Sequence, residues 1–298
     1  MREILLCLAL TVSAYCQDTF KVIVLGSGGG PLENNLSSYL LAPTASSDYI
    51  ALDAGTLLSE IVRTEENPLA FFQNQIKAYL ISHPHLDHVA GLVINSTADS
   101  KKPLLGTDFT INSIRDHLFN WIIWPNFGSE GKKPLNQYAY KRLKEGKKSS
   151  IPSTAMSVEA LLLNHPKGYL STAFLIEASG AYVLYCGDTS PDERLEKVWK
   201  KVAPLIRDES LSAIFLECSY LEAEPLMGHV DTQSFMRELG ALARLVDPAH
   251  PSLKKCSVIV THIKETLKGP SLIQEELDKL NELKIPLIFP KQGQLLSM

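Results

Sequence analysis

The stretch Ser82-His83-Pro84-His85-Leu86-Asp87-His88 constrains this chain more than any other. It sets three imidazoles and one carboxylate within six positions. Nitrogen and oxygen donors of this kind suit zinc, manganese or iron. The preceding run Lys77-Ala78-Tyr79-Leu80-Ile81 reads as a buried strand, so the donors stand at a strand end. In an extended segment His83 and His85 face the same side, as two ligands of one ion would. If Asp87 and His88 open a helix continued by Val89-Ala90-Gly91-Leu92-Val93-Ile94, their side chains leave that pair and reach a second ion. The competing reading is a chance or helix-capping cluster of histidines. The strand-to-helix context favours the metal.

At 298 residues with 45% apolar content, the chain has enough material for a large core. The expected organisation is a single domain over 18–298 with an insertion near 97–152. A net charge of -4 gives no global basic field, which makes nucleic acid an unfavoured partner. Arg2, the apolar run from Ile4 to Val12 and the small residues Ser13 and Ala14 read as a signal peptide over 1–17. The expected location is therefore periplasmic or secreted. A buried first strand is the alternative, and the run is too short to span a bilayer. Cys186, Cys218 and Cys256 lie in apolar, strand-like contexts and read as core residues rather than a disulfide framework.

Phe20-Lys21-Val22-Ile23-Val24-Leu25 reads as a strand, followed by Gly26-Ser27-Gly28-Gly29-Gly30-Pro31. Gly28 and Gly29 either cradle a phosphate with their backbone or form a tight turn fitted beside the metals. A dinucleotide-binding loop is excluded, because Pro31 follows at once and Ser38-Tyr39-Leu40-Leu41-Ala42 is another strand. Asp53 closes the strand Tyr49-Ile50-Ala51-Leu52, where it can orient a ligating histidine or cap a helix through Leu57 and Ile61. In the insertion, the aromatics from His117 to Phe127 can stack on a flat base or simply form core. The lysines from Lys132 to Lys148 can draw in an anion or form a solvated face.

Strand rhythm returns with Glu159–Asn164, Thr172–Ile176, Tyr182–Cys186, Ala213–Glu217 and Val258–Val260, and no internal repeat is visible. The residues after four of these strands are His165, Gly187-Asp188, Cys218-Ser219 and Thr261-His262. Strand ends converge on one rim of a sheet. Amphipathic helices follow Asp231 or Thr232, with Phe235, Leu239, Leu242 and Val246 inward, and Ser271, with Ile273, Leu277 and Leu280 inward. The simplest assembly puts His83, His85 and His165 on one ion, Asp87, His88 and His262 on another, and Asp188 between them. Water between two such ions would ionise near neutral pH, so the expected chemistry is hydrolysis. His229 has no place in that set and is expected to donate a proton or grip a phosphoryl oxygen.

The run from His83 to Ser96 resembles the histidine motif of class II cyclic-nucleotide phosphodiesterases, a branch of the metallo-β-lactamase superfamily. Gly26–Pro31, Leu52–Leu57, Phe119-Asn120-Trp121 with Trp124-Pro125-Asn126, Ser171–Ile176, Gly187-Asp188-Thr189, Glu217-Cys218-Ser219-Tyr220 and Gly228-His229 resemble other blocks of that class. Thr97 and Val230 depart from it, at positions where alanine or proline and leucine are usual. The resemblance implies an α/β fold, a four-layer αββα sandwich of two mixed β-sheets. It implies two divalent metal ions, zinc before manganese or iron, held by His83, His85, Asp87, His88, His165, Asp188 and His262. Asp53 and Glu217 would support these ligands, Asp87 and His229 would act in catalysis, and Gly28, Gly29, Asn120, Trp124 and His229 would contact substrate. The implied activity is opening of a 3′,5′-cyclic nucleotide, cyclic AMP before cyclic GMP, to the 5′-monophosphate, by a homodimer. The rival readings are another hydrolase of this scaffold (nuclease, lactonase or β-lactamase) and a metal-dependent binding protein without turnover.

Overall fold

The computed structural model describes residues 19–166, 168–221, 228–264 and 271–298. The expected signal peptide over 1–17 lies outside them. Short β-branched and aromatic runs, cut by glycine, proline and Asx turns, pair into two seven-stranded sheets. In spatial order the first holds β14 (Leu295–Ser297), β1 (Phe20–Gly26), β2 (Ser38–Pro43), β3 (Tyr49–Leu52), β4 (Ile76–Leu80), β5 (Lys102–Gly106) and β6 (Tyr138–Arg142). The second holds β13 (Leu287–Ile288), β12 (Ser257–Thr261), β11 (Leu211–Glu217), β10 (Ala181–Tyr185), β9 (Leu170–Ala178), β8 (Ser157–Asn164) and β7 (Lys148–Ser150).

Both faces of each sheet are covered, which is why the central strands read as unbroken apolar runs. Pleating sends alternate side chains to opposite faces. In β11, Ala213 and Phe215 enter the core between the sheets, where they join Phe20, Tyr39, Phe174 and Tyr185. Ile214 and Leu216 point outward, against α5 (Glu193–Arg207) and α6 (Thr232–Val246), with α7 (Ser271–Leu280) beside them. The outer face of the first sheet is covered by α1 (Leu58–Thr64), α2 (Pro68–Asn74), α3 (Leu86–Asn95) and α4 (Asp108–Ser113). The architecture is thus the four-layer αββα sandwich. No helix among the described residues is long and apolar enough to cross a membrane.

The two halves follow one plan that the sequence hides. In each, two antiparallel pairings lead into a run of parallel strands joined through helices: β1-β2-β3 then β4, β5 and β6, and β8-β9-β10 then β11, β12 and β13. A strand repeat is fixed by apolar burial alone, which many side chains satisfy, so the halves share topology without shared residues. Because β1, β3 and β4 run one way, and so do β8, β10, β11 and β12, their C-terminal ends gather at one rim.

The expected helix at 232–246 forms. Asp231 caps it by accepting from the Ser234 N–H at 2.6 Å, and Phe235, Leu239, Leu242 and Val246 are buried. The stretch 97–152 is less of an insertion than expected, since β5, β6 and β7 lie in it as sheet members. Helix α5 was not anticipated, although Leu195, Val198, Trp199, Val202 and Ile206 keep helical spacing and are buried. Pro204 stands inside it, and the helix runs through to Arg207.

Candidate metal centre

The shared rim brings together all seven expected ligands. His83 and His85 follow β4, Asp87 and His88 open α3, and His165, Asp188 and His262 follow β8, β10 and β12. Their donor atoms form two groups, each within 4.8 Å: His83, His85, His165 and Asp188, and then Asp87, His88 and His262. Asp188 touches both. Its Oδ2 lies 3.5 Å from His165 Nε2, 3.8 Å from His83 Nε2 and 3.1 Å from His262 Nε2, and its Oδ1 lies 3.2 Å from His88 Nε2.

The cluster fits metal ions by its own chemistry. His83 Nε2, His88 Nε2 and Asp188 Oδ1 are buried without a hydrogen-bond partner. Buried polar atoms are nearly always paired, and leaving one unpaired costs about 1–3 kcal/mol. The opposite ring nitrogens, by contrast, are engaged. His88 Nδ1 donates to Asp53 Oδ2 at 2.7 Å, and His165 Nδ1 donates to the Gly228 carbonyl. Ser82 gives its hydroxyl proton to Asp53, so its oxygen accepts from His83 Nδ1 at 3.0 Å. Ser219 likewise gives its proton to Glu217 Oε2 at 2.5 Å and accepts from His262 Nδ1 at 2.9 Å. Their Nδ1 contacts turn the Nε2 atoms of these four imidazoles toward Asp188, where those of His83 and His88 have no hydrogen-bond partner and that of His262 lies 3.1 Å from Asp87 Oδ2.

The electrostatics agree. Burial pushes His83 well below the ordinary histidine range, lowers His165, and takes His85 down to about 4, so these three are neutral ligands at pH 7. Burial acts the same way on His88, but Asp188, Asp53 and Asp87 around it prevail and push it well up. Asp87 and Asp188 stay ionised despite burial because His88 and His262 lie against them.

Beside this set lies a second unit. Glu217 is fully buried and accepts from the Thr189 N–H at 2.7 Å, from Ser219 Oγ, and from His229 Nδ1 at 2.9 Å. Burial lowers the basicity of His229, but the Glu217 charge and hydrogen bond outweigh it and raise His229 above its ordinary value. The His229 ring lies 4.4 Å from that of His165 and stacks on His262 at 5.1 Å.

Residues 63–287 match the family described as class-II cAMP phosphodiesterases. This chain belongs to that family. It is 34% identical over 320 residues to a 3′,5′-cyclic-nucleotide phosphodiesterase of Aliivibrio fischeri, covering 98% of this chain and 96% of that protein. It is 27% identical to one from Schizosaccharomyces pombe, covering 93% of each. The crystal structure of unliganded yeast PDE1 superposes with a TM-score of 0.85 at 25% identity, over 94% of this chain and all of that one. A metallo-β-lactamase fold protein from Bacillus subtilis, at 16% identity and a TM-score of 0.67 over 94% of this chain and all of that one, shares the fold.

In this class II phosphodiesterase chain, the phosphate-cradle reading of Gly28 and Gly29 gives way to the tight turn. Their N–H groups are spent on the Asn35 and Ile263 carbonyls at 2.8 and 3.2 Å. A Cβ at Gly29 would lie 2.5 Å from the His262 ring, so glycine there lets the backbone press His262 into place. Asn120 is committed to its own turn: Oδ1 accepts from the Ile122 and Ile123 N–H groups, and Nδ2 donates to the Asp116 carbonyl. Trp124 is half-buried and donates to Ser96 Oγ at 3.0 Å. The polar side-chain atoms of both residues are thus engaged within the chain. His117 is exposed, as are the lysines from Lys132 to Lys148.

Sequence reasoning placed Ser82 and Ser219 at strand ends of this phosphodiesterase site without assigning them a role, and missed Tyr185 and Tyr169. Ser219 had a usable signal, standing two residues beyond Glu217 where extended backbone puts both on one side. Tyr169, stacked on His85 at 4.7 Å, had none. Asp53 supports a ligand of each group, His88 directly and His83 through Ser82, and accepts from Ser82 N–H, Ser82 Oγ, His88 and Tyr185 OH at 2.6–2.7 Å. Asp53→Ala removes the shared acceptor of four buried donors, the His88 imidazole among them. It is expected to destabilise the fold by roughly 3–5 kcal/mol and to weaken metal binding about 10–100-fold. Thermal denaturation with and without metal measures both.

Proposed function

We propose that this chain hydrolyses 3′,5′-cyclic nucleotides, cyclic AMP foremost, to 5′-monophosphates with two divalent ions, zinc before manganese or iron. The observation that carries the reading is the set of imidazole Nε2 atoms turned toward Asp188, those of His83 and His88 buried without a partner, with the His229–Glu217 pair beside it. The names of the family and of its relatives supply the substrate class. When bound, such ions polarise phosphoryl oxygens and make water nucleophilic at neutral pH.

The side chains divide the remaining work. His83, His85 and His165 hold one end of the site and Asp87, His88 and His262 the other, with Asp188 serving both. Hydrolysis adds water at phosphorus and breaks the bond to the ribose 3′ oxygen, which leaves as an alkoxide and needs a proton. His229 supplies it, because Glu217 keeps its imidazolium available in a buried setting. A secretory leader over 1–17 and a homodimer complete the proposal; charge and apolarity at the N-terminus support the first, and family resemblance the second. Product analysis with 3′,5′-cyclic AMP, 3′,5′-cyclic GMP and 2′,3′-cyclic AMP tests it. The expected product from the 3′,5′ substrates is the 5′-monophosphate, and a 3′-monophosphate product refutes the assigned leaving group.

A further inference from the structure

A cavity of about 600 Å³ runs from the metal-ligand candidate Asp87 along the outer side of α3. That volume lies within the range of small-molecule sites. Leu86, Ala90 and Ile94 line it at helical spacing, the loop at Gly30 and Pro31 forms its opposite wall, and Ser59 and Asn95 stand at its far end. From Asp87 to Asn95 is about 12 Å of helix, long enough for a ribose and a purine. Leu86 is 67% exposed and Ile94 59%, so nothing within the described chain covers this apolar face.

The charge pattern orients what can lie there. Among the described residues, the charged lining groups are the carboxylates of Asp87 and Glu33, with no lysine, arginine or histidine in the lining. A phosphate is therefore repelled from the groove, whereas a neutral, flat and largely apolar group is accepted. The groove is continuous with the metal cluster at Asp87, and at Gly30 it adjoins Gly29, which presses on His262. On the other side of the cluster the aromatic surface is already used: Tyr169 stacks on His85, and Phe109 meets the Tyr169 ring edge-on at 4.9 Å.

We propose that the α3 groove walled by Leu86, Ala90 and Ile94 receives the nucleobase of the cyclic nucleotide and sets the enzyme's preference among bases. This rests on the cyclic-nucleotide reading above. With the phosphate at Asp188 and the base toward Asn95, substrate lies along the helix that also carries Asp87 and His88.

The test uses the full chain loaded with metal, an Ala90→Phe variant that fills the groove, and a Leu86→Ser/Ile94→Ser variant that strips two exposed walls. Activity is compared on cyclic AMP, cyclic GMP and bis-p-nitrophenyl phosphate, a phosphodiester with no base, alongside metal content. For Ala90→Phe, kcat/KM on cyclic AMP is expected to fall at least ~10-fold relative to that on the base-free diester, mainly through KM. The serine variant should change the ratio of cyclic AMP to cyclic GMP turnover. Parallel changes on all substrates, or none, overturn the proposal. So does a serine variant that loses self-association in sedimentation while keeping its KM, since the groove would then hold a second copy. If the wild-type chain turns over no cyclic nucleotide, the function proposed above falls separately. The groove is then judged by 5′-AMP titration, where equal affinity in wild type and Ala90→Phe rejects it and ~10-fold weaker binding in the variant upholds it.

Discussion

Asp188→Ala is expected to abolish turnover and to deplete both halves of the metal cluster together. Asp188 lies within 4 Å of ring nitrogens from both groups, His83 and His165 on one side and His88 and His262 on the other. Its carboxylate stays ionised although burial opposes it, because His262 and His88 lie against it. Taking it away leaves those imidazoles facing one another with their shared anion gone. The loss of several kcal/mol of charge stabilisation at the reacting phosphate corresponds to a rate loss on the order of 10³–10⁴-fold. Elemental analysis of the purified variant should find less than one metal per chain. A variant that keeps two metals and near wild-type turnover would show that Asp188 is not the shared ligand.

His229→Ala is expected to separate chemistry from metal binding. Loss of a positioned proton donor costs typically 10²–10⁴-fold in rate. The four histidines whose Nδ1 partners are set out above do not depend on His229, so two metals should remain. The Glu217 charge raises the pKa of His229 against the opposing effect of burial. The protonated, proton-donating form is therefore present below that raised value and is lost as pH climbs through it. Activity that depends on the imidazolium falls on the alkaline side, and His229→Gln should remove that limb from the profile of the residual rate. If His229→Ala loses its metals as well as its rate, the residue is a ligand or a structural support instead. His165, Asp188, Glu217 and His229 also form a group with donor atoms within 4.8 Å, which makes that alternative measurable rather than formal.

The parts of the site legible in the sequence were those where chain direction alone dictates the outcome. A short apolar strand delivers its next residue to a sheet rim, so His83, His165, Asp188 and His262 could be grouped although they are spread over 180 positions. Asp53 was legible as a supporting carboxylate by the same logic, and Glu217 through the family resemblance. What sequence could not supply was the hydrogen-bond partner of each ring. Ser82 and Ser219 matter because their hydroxyls each give a proton to one carboxylate and accept from one histidine, a relation set by three-dimensional approach. The same limit explains Gly28 and Gly29: a glycine run permits a phosphate cradle and a tight turn equally, and the neighbouring Asn35 and Ile263 carbonyls decide between them. The likeness of the two halves stayed hidden because it is one of strand order and direction.

The most direct measurement is product analysis with 3′,5′-cyclic AMP on the purified chain, stripped by chelator and then restored stepwise with zinc. The account predicts no turnover in the stripped protein and 5′-AMP as the product, with the rate rising until two zinc ions are bound per chain. Undiminished turnover in fully stripped protein, or two bound ions with no cyclic nucleotide opened, would contradict it.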